Sequence, residues 1–158
     1  MSKFLTLFIL SLTTIILIAC NNQNVVSESV LENFVTGYKK EIYNVDLQNE
    51  MEDSVIVANV KPFVGDELFN RNKKNGIYVL PKYFASENEV NIRLEKTKID
   101  SFKQNDSNIE VKYTLTLKIG NEEFEKQGIM TITGDDKEHF IINNDHETPI
   151  MVNGQKLM

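Results

Sequence analysis

Near the end of the chain lies a stretch dense in groups that can do chemistry, "DDKEHFIINNDHE". It gathers Asp135, Asp136, Glu138, His139, Asp145, His146 and Glu147, including both histidines of the protein. Carboxylates and imidazoles are the usual ligands of zinc, and a site needs two or three of them converging at about 2.0 to 2.2 Å. A histidine is also the side chain best placed to act as a base near neutrality. The spacing argues against both roles. Asp135 and Asp136 follow Gly134 in a turn pattern, and the two histidines are seven residues apart across an apolar strand. An odd separation sends them to opposite faces of a regular strand. The stretch therefore reads as a solvated turn followed by a strand. No metal, cofactor or catalytic residue is expected. The chain also lacks the G-x-S-x-G nucleophile elbow and the phosphate-binding G-x-x-x-x-G-K-[ST] loop.

The remaining reactive side chain is the single cysteine, Cys20. Lys3 precedes a mostly apolar run from Phe4 to Ala19, after which the sequence turns polar as "NNQN". A positive start followed by an apolar run is the pattern of a secretory signal. The run is slightly short for a spanning helix, which needs about 20 apolar residues. Leu17-Ile18-Ala19-Cys20 resembles the lipobox of bacterial lipoproteins, with leucine three before the cysteine and a small residue just before it. The resemblance implies a diacylglycerol on the Cys20 thiol and cleavage between Ala19 and Cys20. The chemistry is consistent with this, because a thiolate at the membrane interface is the strongest nucleophile the chain offers. The alternative is a buried cysteine in an uncleaved anchor helix. If Cys20 is acylated, the mature domain has neither a free thiol nor a disulfide.

Composition bounds the rest. The chain has 158 residues, 41% hydrophobic and 25% charged, as in an ordinary globular domain. Net charge is −6, and the part after residue 19 carries 16 basic and 23 acidic residues. Nucleic acid is not expected as a partner, since phosphate binding needs a concentrated basic patch. The densest basic cluster, "RNKKN" at Arg71 to Asn75, reads as a solvated helix end, with electrostatic docking onto anionic lipid as the alternative. Lysine outnumbers arginine fifteen to two, a usage typical of AT-rich Gram-positive genomes. The expected location is the extracytoplasmic face of the cell membrane.

The elements are then expected as follows. "SVLE" at Ser29 to Glu32 has the form of a capping box. Val30, Leu31, Phe34, Val35, Tyr38 and Ile42 follow at helical spacing. Ser54 is expected to cap a second helical stretch that Pro62 interrupts. A third begins at Asp66 and ends at Gly76. "IYVLPKYFAS" reads as a short helix or turn. From Glu89 the period changes to two, most clearly in Ile109, Val111, Tyr113, Leu115, Leu117 and Ile119. Gly120-Asn121 predicts a tight hairpin. A third strand, "EEFEKQGIMTIT", and a fourth, "KEHFIINND", complete the set. Residues 148–158 are a tail or a short edge strand. The five tyrosines Tyr38, Tyr43, Tyr78, Tyr83 and Tyr113 read as core and cavity lining.

Leading helices followed by a four-stranded antiparallel meander make an α+β fold. The helix "SVLENFVTGYKKEIY", the segment "VKPFVGDELFNRNKKN" and the strands from "EVKYTLTLKIG" to "IINN" resemble the NTF2-like superfamily, whose curved sheet wraps its helices into a cone. A cystatin-like sheet on one helix is the nearest alternative. The expected organisation is a signal peptide at 1–19, a lipidated Cys20 and tether at 20–27, an NTF2-like domain at 28–147 and a tail at 148–158. The expected function is that of a membrane-anchored, non-enzymatic binding module for an envelope protein or apolar ligand; the alternatives are an assembly component of an envelope machine, or an enzyme or small-ligand binder using the cone. No catalytic motif of the superfamily's enzymes is matched, so no catalytic residue is carried over.

Overall fold

The computed structural model describes residues 26–134, 139–152 and 154–157. The signal pattern, Cys20 and most of the tether, and the acidic turn residues Asp135, Asp136 and Glu138, lie outside the described residues. Helix α1 spans Glu28–Tyr43. Helices α2 (Asp53–Val60), α3 (Asp66–Lys74) and α4 (Leu80–Asn88) follow, separated by single 3-10 turns at Lys61–Phe63 and Ile77–Val79. Strands β1 (Ile92–Asn105), β2 (Asn108–Ile119), β3 (Glu122–Thr133) and β4 (Ile141–Glu147) form an antiparallel sheet in sequence order. Two short strands, β5 (Ile150–Val152) and β6 (Gln155–Leu157), pair as a separate hairpin.

The expected α+β architecture is present. The two-residue turn at Gly120-Asn121 is also present, with Ile119 opposite Glu122 and Gly120 at φ +60°. Every residue of the alternating β2 set from Ile109 to Ile119 is buried. These side chains meet Leu31, Val35, Tyr38 and Ile42 of α1 in one apolar core. Three helix starts differ from the expected ones. Ser27, not Ser29, caps α1, its hydroxyl accepting from the Val30 N–H at 3.4 Å. Glu52 rather than Ser54 precedes α2, and Gly65 rather than Asp66 precedes α3. In each case a neighbouring residue in extended conformation takes the cap; Asp66 instead falls in the first turn of α3, and Asp53 in that of α2, where an acid favours the helix dipole. The proline-containing segment at Leu80–Asn88 is helical because Pro81 sits at its start, where no N–H is needed.

Three irregularities shape the sheet. Strand β1 shifts register between Leu94 and Lys96 and again between Ile99 and Ser101. Strand β4 shifts opposite Thr131 and Ile132. Such bulges bend a strand and re-aim the side chains beyond them. Gly128 faces Tyr113 across β2 and β3, and a Cβ there would lie 2.3 Å from the Tyr113 ring. The absent side chain is the slot that admits the ring.

Gly128→Ala is expected to lower stability by about 2 kcal/mol or more, the cost of overpacking a closed core. Gly37→Ala is the contrasting case. Its added methyl meets the Phe63 ring at 3.4 Å, an ordinary contact, and α1 gains helix propensity. Urea denaturation should show the first variant destabilised and the second unchanged or stabilised.

Candidate functional site

The most chemically dense part of the interior lies where α1 crosses β2, β3 and β4. Lys39 is only 1% exposed. Its ammonium stands 2.5 Å from Asp145 Oδ2 and 2.7 Å from Glu147 Oε1. The Tyr113 hydroxyl donates to Asp145 Oδ1 at 2.6 Å and also lies 3.2 Å from Glu147 Oε1. The Tyr43 hydroxyl donates to Glu147 Oε2. A second cation, Lys126, is fully buried 3.7 Å from Glu147 Oε2 and donates to the Thr148 carbonyl at 3.0 Å. The Lys39 ammonium also sits 4.8 Å from the Tyr38 ring centre and 5.2 Å from that of Tyr113. Two cations thus oppose two carboxylates, with phenols filling the remaining acceptor sites.

Strand geometry explains the assembly. Asp145 is opposite Met130 and Glu147 opposite Gly128, and both positions of β3 face the core. His146, between them, points to the other face and is exposed. The acid-rich stretch is therefore split by the pleat: its carboxylates at 145 and 147 go in, and its histidine at 146 goes out. His139 is exposed just before β4 begins. Among the described residues, no group of three or more histidine, cysteine, aspartate or glutamate side chains is placed to hold a metal.

The electrostatics follow from burial. Desolvation alone would lower the Lys39 pKa, but Asp145 and Glu147 raise it above the ordinary 10.5. Desolvation would raise Glu147, yet Lys39 and Lys126, with hydrogen bonds from Lys39 and Tyr43, hold it below 4.5. Burial, reinforced by the two carboxylates, raises Tyr38, Tyr43 and Tyr113 well above 10. Tyr78 is pushed up to about 12, mainly by burial. Lys126 is lowered by burial, offset in part by Glu147. The phenols remain neutral donors and Lys39 remains charged at neutrality. The arrangement neutralises charge and leaves its carboxylates engaged.

Four of the five expected tyrosines, all but Tyr83, belong to the core. Tyr83 is half exposed, and its hydroxyl reaches out to Asp53 at 2.5 Å. The largest fully buried side chains include Tyr38, Tyr43, Tyr78, Tyr113, Lys39 and Lys126, so this part of the cone is filled. Open grooves lie elsewhere. One of about 640 Å³ runs over the outer sheet face, between Lys98, Asp100, Lys112, Gln127 and His146. Within it Asp100 accepts from Thr114 Oγ1 at 2.6 Å and from Lys98 at 3.0 Å.

Sequence reasoning missed Lys39 and Lys126. The signal was present in phase rather than in residue type. Lys39 falls on the α1 stripe between Val35 and Ile42, and Lys126 shares the inward phase of Met130 and Ile132. A lysine at an inward position demands a buried acid.

No family model matches the chain, and no curated protein matches it either. Solved structures do. At TM-score 0.52 and 12% identity, the chain resembles an Ntf2-like, potential transfer protein TraM from the Gram-positive conjugative plasmid pIP501, over 80% of this chain and all of that one. The fold is NTF2-like. An IcmL-like type IV secretion system protein from Legionella pneumophila matches at TM-score 0.50 and 15% identity, over 82% of this chain and 98% of that one. The NTF2-like reading is therefore preferred to the cystatin-like alternative.

Removing Lys39 leaves two carboxylates facing each other in the core. Lys39→Met is expected to cost about 3 to 5 kcal/mol, the usual penalty for breaking a buried pair from one side. Adding Asp145→Asn to it should recover part of that loss, with Glu147 kept to balance the buried Lys126. The pH dependence has a defined sign. A carboxylate held below its ordinary value contributes stability that is complete above that value and lost as pH falls. For Glu147 the loss begins as pH drops below 4.5. Thermal melts from pH 6 to about pH 2.5 should show a shallower acid limb in Glu147→Gln than in the parent.

Proposed function

We propose that the protein is a lipoprotein held at the extracytoplasmic face of the membrane through Cys20, where it serves as a non-enzymatic assembly component of an envelope transfer machine. The observation that carries this reading is the filled interior. Where a cone-shaped fold would house a ligand or substrate, Tyr38, Lys39, Tyr43, Tyr113 and Lys126 close on Asp145 and Glu147. A small-molecule site is an open concavity with a few polar groups at its end. Here, among the described residues, those polar groups are engaged with one another, and a groove of about 640 Å³ lies open on the outer sheet face. Binding to other proteins through the surface is the role that such a body supports.

Two further considerations support the machine. Two solved structures that resemble this chain are a potential conjugative transfer protein and an IcmL-like type IV secretion system protein. The lipobox-like Leu17–Cys20 pattern stands directly before the folded domain. A diacylated cysteine anchors firmly where a single chain holds only marginally, and attachment raises the effective concentration of the domain for membrane-adjacent partners.

Crosslinking in intact cells tests the assembly role. A discrete band containing other envelope proteins is the expected result, and a protein that remains uncrosslinked under conditions that trap a known complex would overturn it. Cys20→Ser tests the anchor: incorporation of labelled palmitate should be lost, with an unprocessed or mislocalised chain. Retained labelling would refute acylation at this position.

A further inference from the structure

The fold begins almost immediately after the proposed lipid site. Val26 is 5% exposed and packs into the core, and its N–H donates to Gln104 Oε1 at 2.9 Å. Gln104 lies at the end of β1, one residue before the turn between β1 and β2. Six residue steps separate Cys20 from Val26. Fully extended, they reach about 20 Å. The body is longer than its tether: a strand of 12 residues such as β2 runs about 40 Å.

The two ends of that body differ. One end carries the entry of α1 at Ser27–Val30 and the Asn105–Asn108 turn, with Gly134 N–H donating to the Ser107 carbonyl. The other carries the Gly120-Asn121 turn and the junction of α4 with β1, where the Asn88 side-chain amide donates to Gln155 Oε1 of the terminal hairpin at 2.7 Å. The tethered end exposes Ser27, Glu28, Ser29, Asn105, Asp106 and Ser107, with Val30 as a partly exposed apolar residue. The described residues of this end are polar and form no basic cluster, which suits contact with hydrated headgroups and does not suit insertion. The long outer face of the sheet interleaves Lys98 and Lys112 with Asp100 and Glu125. The part of the chain after residue 19 is acidic overall. Anionic leaflets attract concentrated basic segments, so this mixed face gains little by lying down on one.

From these observations we infer that the domain stands end-on at the bilayer, with its Ser27–Val30 and Asn105–Ser107 end against the lipid headgroups and its Gly120-Asn121 end pointing away. This orientation rests on the membrane-anchor reading above. It places partner-binding surfaces a sheet's length from the lipid, while the tethered end is occupied by the membrane itself.

The test uses the full chain in vesicles of phosphatidylglycerol and phosphatidylethanolamine containing a headgroup nitroxide lipid. Ser107→Cys, Lys112→Cys and Asn121→Cys each place a fluorophore at an exposed position. Quenching should be several-fold stronger at 107 than at 121, with 112 in between. Equal quenching at all three positions would mean a domain lying flat, and strong quenching at 121 alone would mean an inverted one. Absence of quenching at 107 would mean a domain held clear of the surface. Each of these overturns the inference. Mass spectrometry of the mature N-terminus on the same samples reports the anchor separately. Correct acylation with the wrong quenching order defeats the orientation alone, and a bare Cys20 defeats the anchor.

Discussion

The ammonium of Lys39, held between two carboxylates inside the sheet, is the constraint on which the rest of the packing depends. Removing an ion from water costs several kcal/mol even after the surroundings relax, and attraction recovers that cost only with close, complete pairing. The pairing here is close: 2.5 and 2.7 Å to two different acids, with phenols donating to the remaining oxygens. To achieve it, α1 must cross the sheet where Lys39 meets the end of β4. Strand β4 must present Asp145 and Glu147 inward, and Tyr113 must pass through the gap at Gly128. The second cation then draws in the C-terminal segment, because Lys126 donates to the Thr148 and Leu157 carbonyls. Helix, sheet and terminal hairpin are tied at one point.

Such a cluster specifies as much as it stabilises. An apolar group of the same shape could fill the space at similar or lower free energy. It would not distinguish one register of β4 from the next. A one-residue slip exchanges the faces of a strand. Slipping β4 would bring His146 toward Lys39 and send both acids to solvent, leaving Lys39 buried without a counter-charge. The register shift opposite Thr131 and Ile132 sets the correct phase, and the charges penalise any other.

The fold was legible because its strongest signals are periodic. The alternation from Ile109 to Ile119 and the α1 stripe from Leu31 to Ile42 each assign a whole face, and their burial follows directly. Helix caps were less legible, since Ser27 and Ser29 offer the same chemistry two residues apart and only the path of the incoming chain chooses between them. The interior cluster was hidden for a different reason. "DDKEHFIINNDHE" draws attention to residues adjacent in sequence, whereas the pleat separates neighbours and unites Asp145 with Lys39, 106 positions away. Residue type alone marked Glu147 as solvated. The inward phase of Lys126 was the local clue that buried acid would be needed.

The outermost strand carries a last consequence. β1 bends twice, at its Leu94–Lys96 and Ile99–Ser101 shifts, and sets exposed lysines at 96, 98 and 103 along its length. An open, flat border of this length invites a neighbouring chain to continue the ladder, and kinks with positive charge are a known deterrent. Where many copies crowd together, the bends and the lysines along this edge therefore oppose sideways fusion of one sheet onto the next.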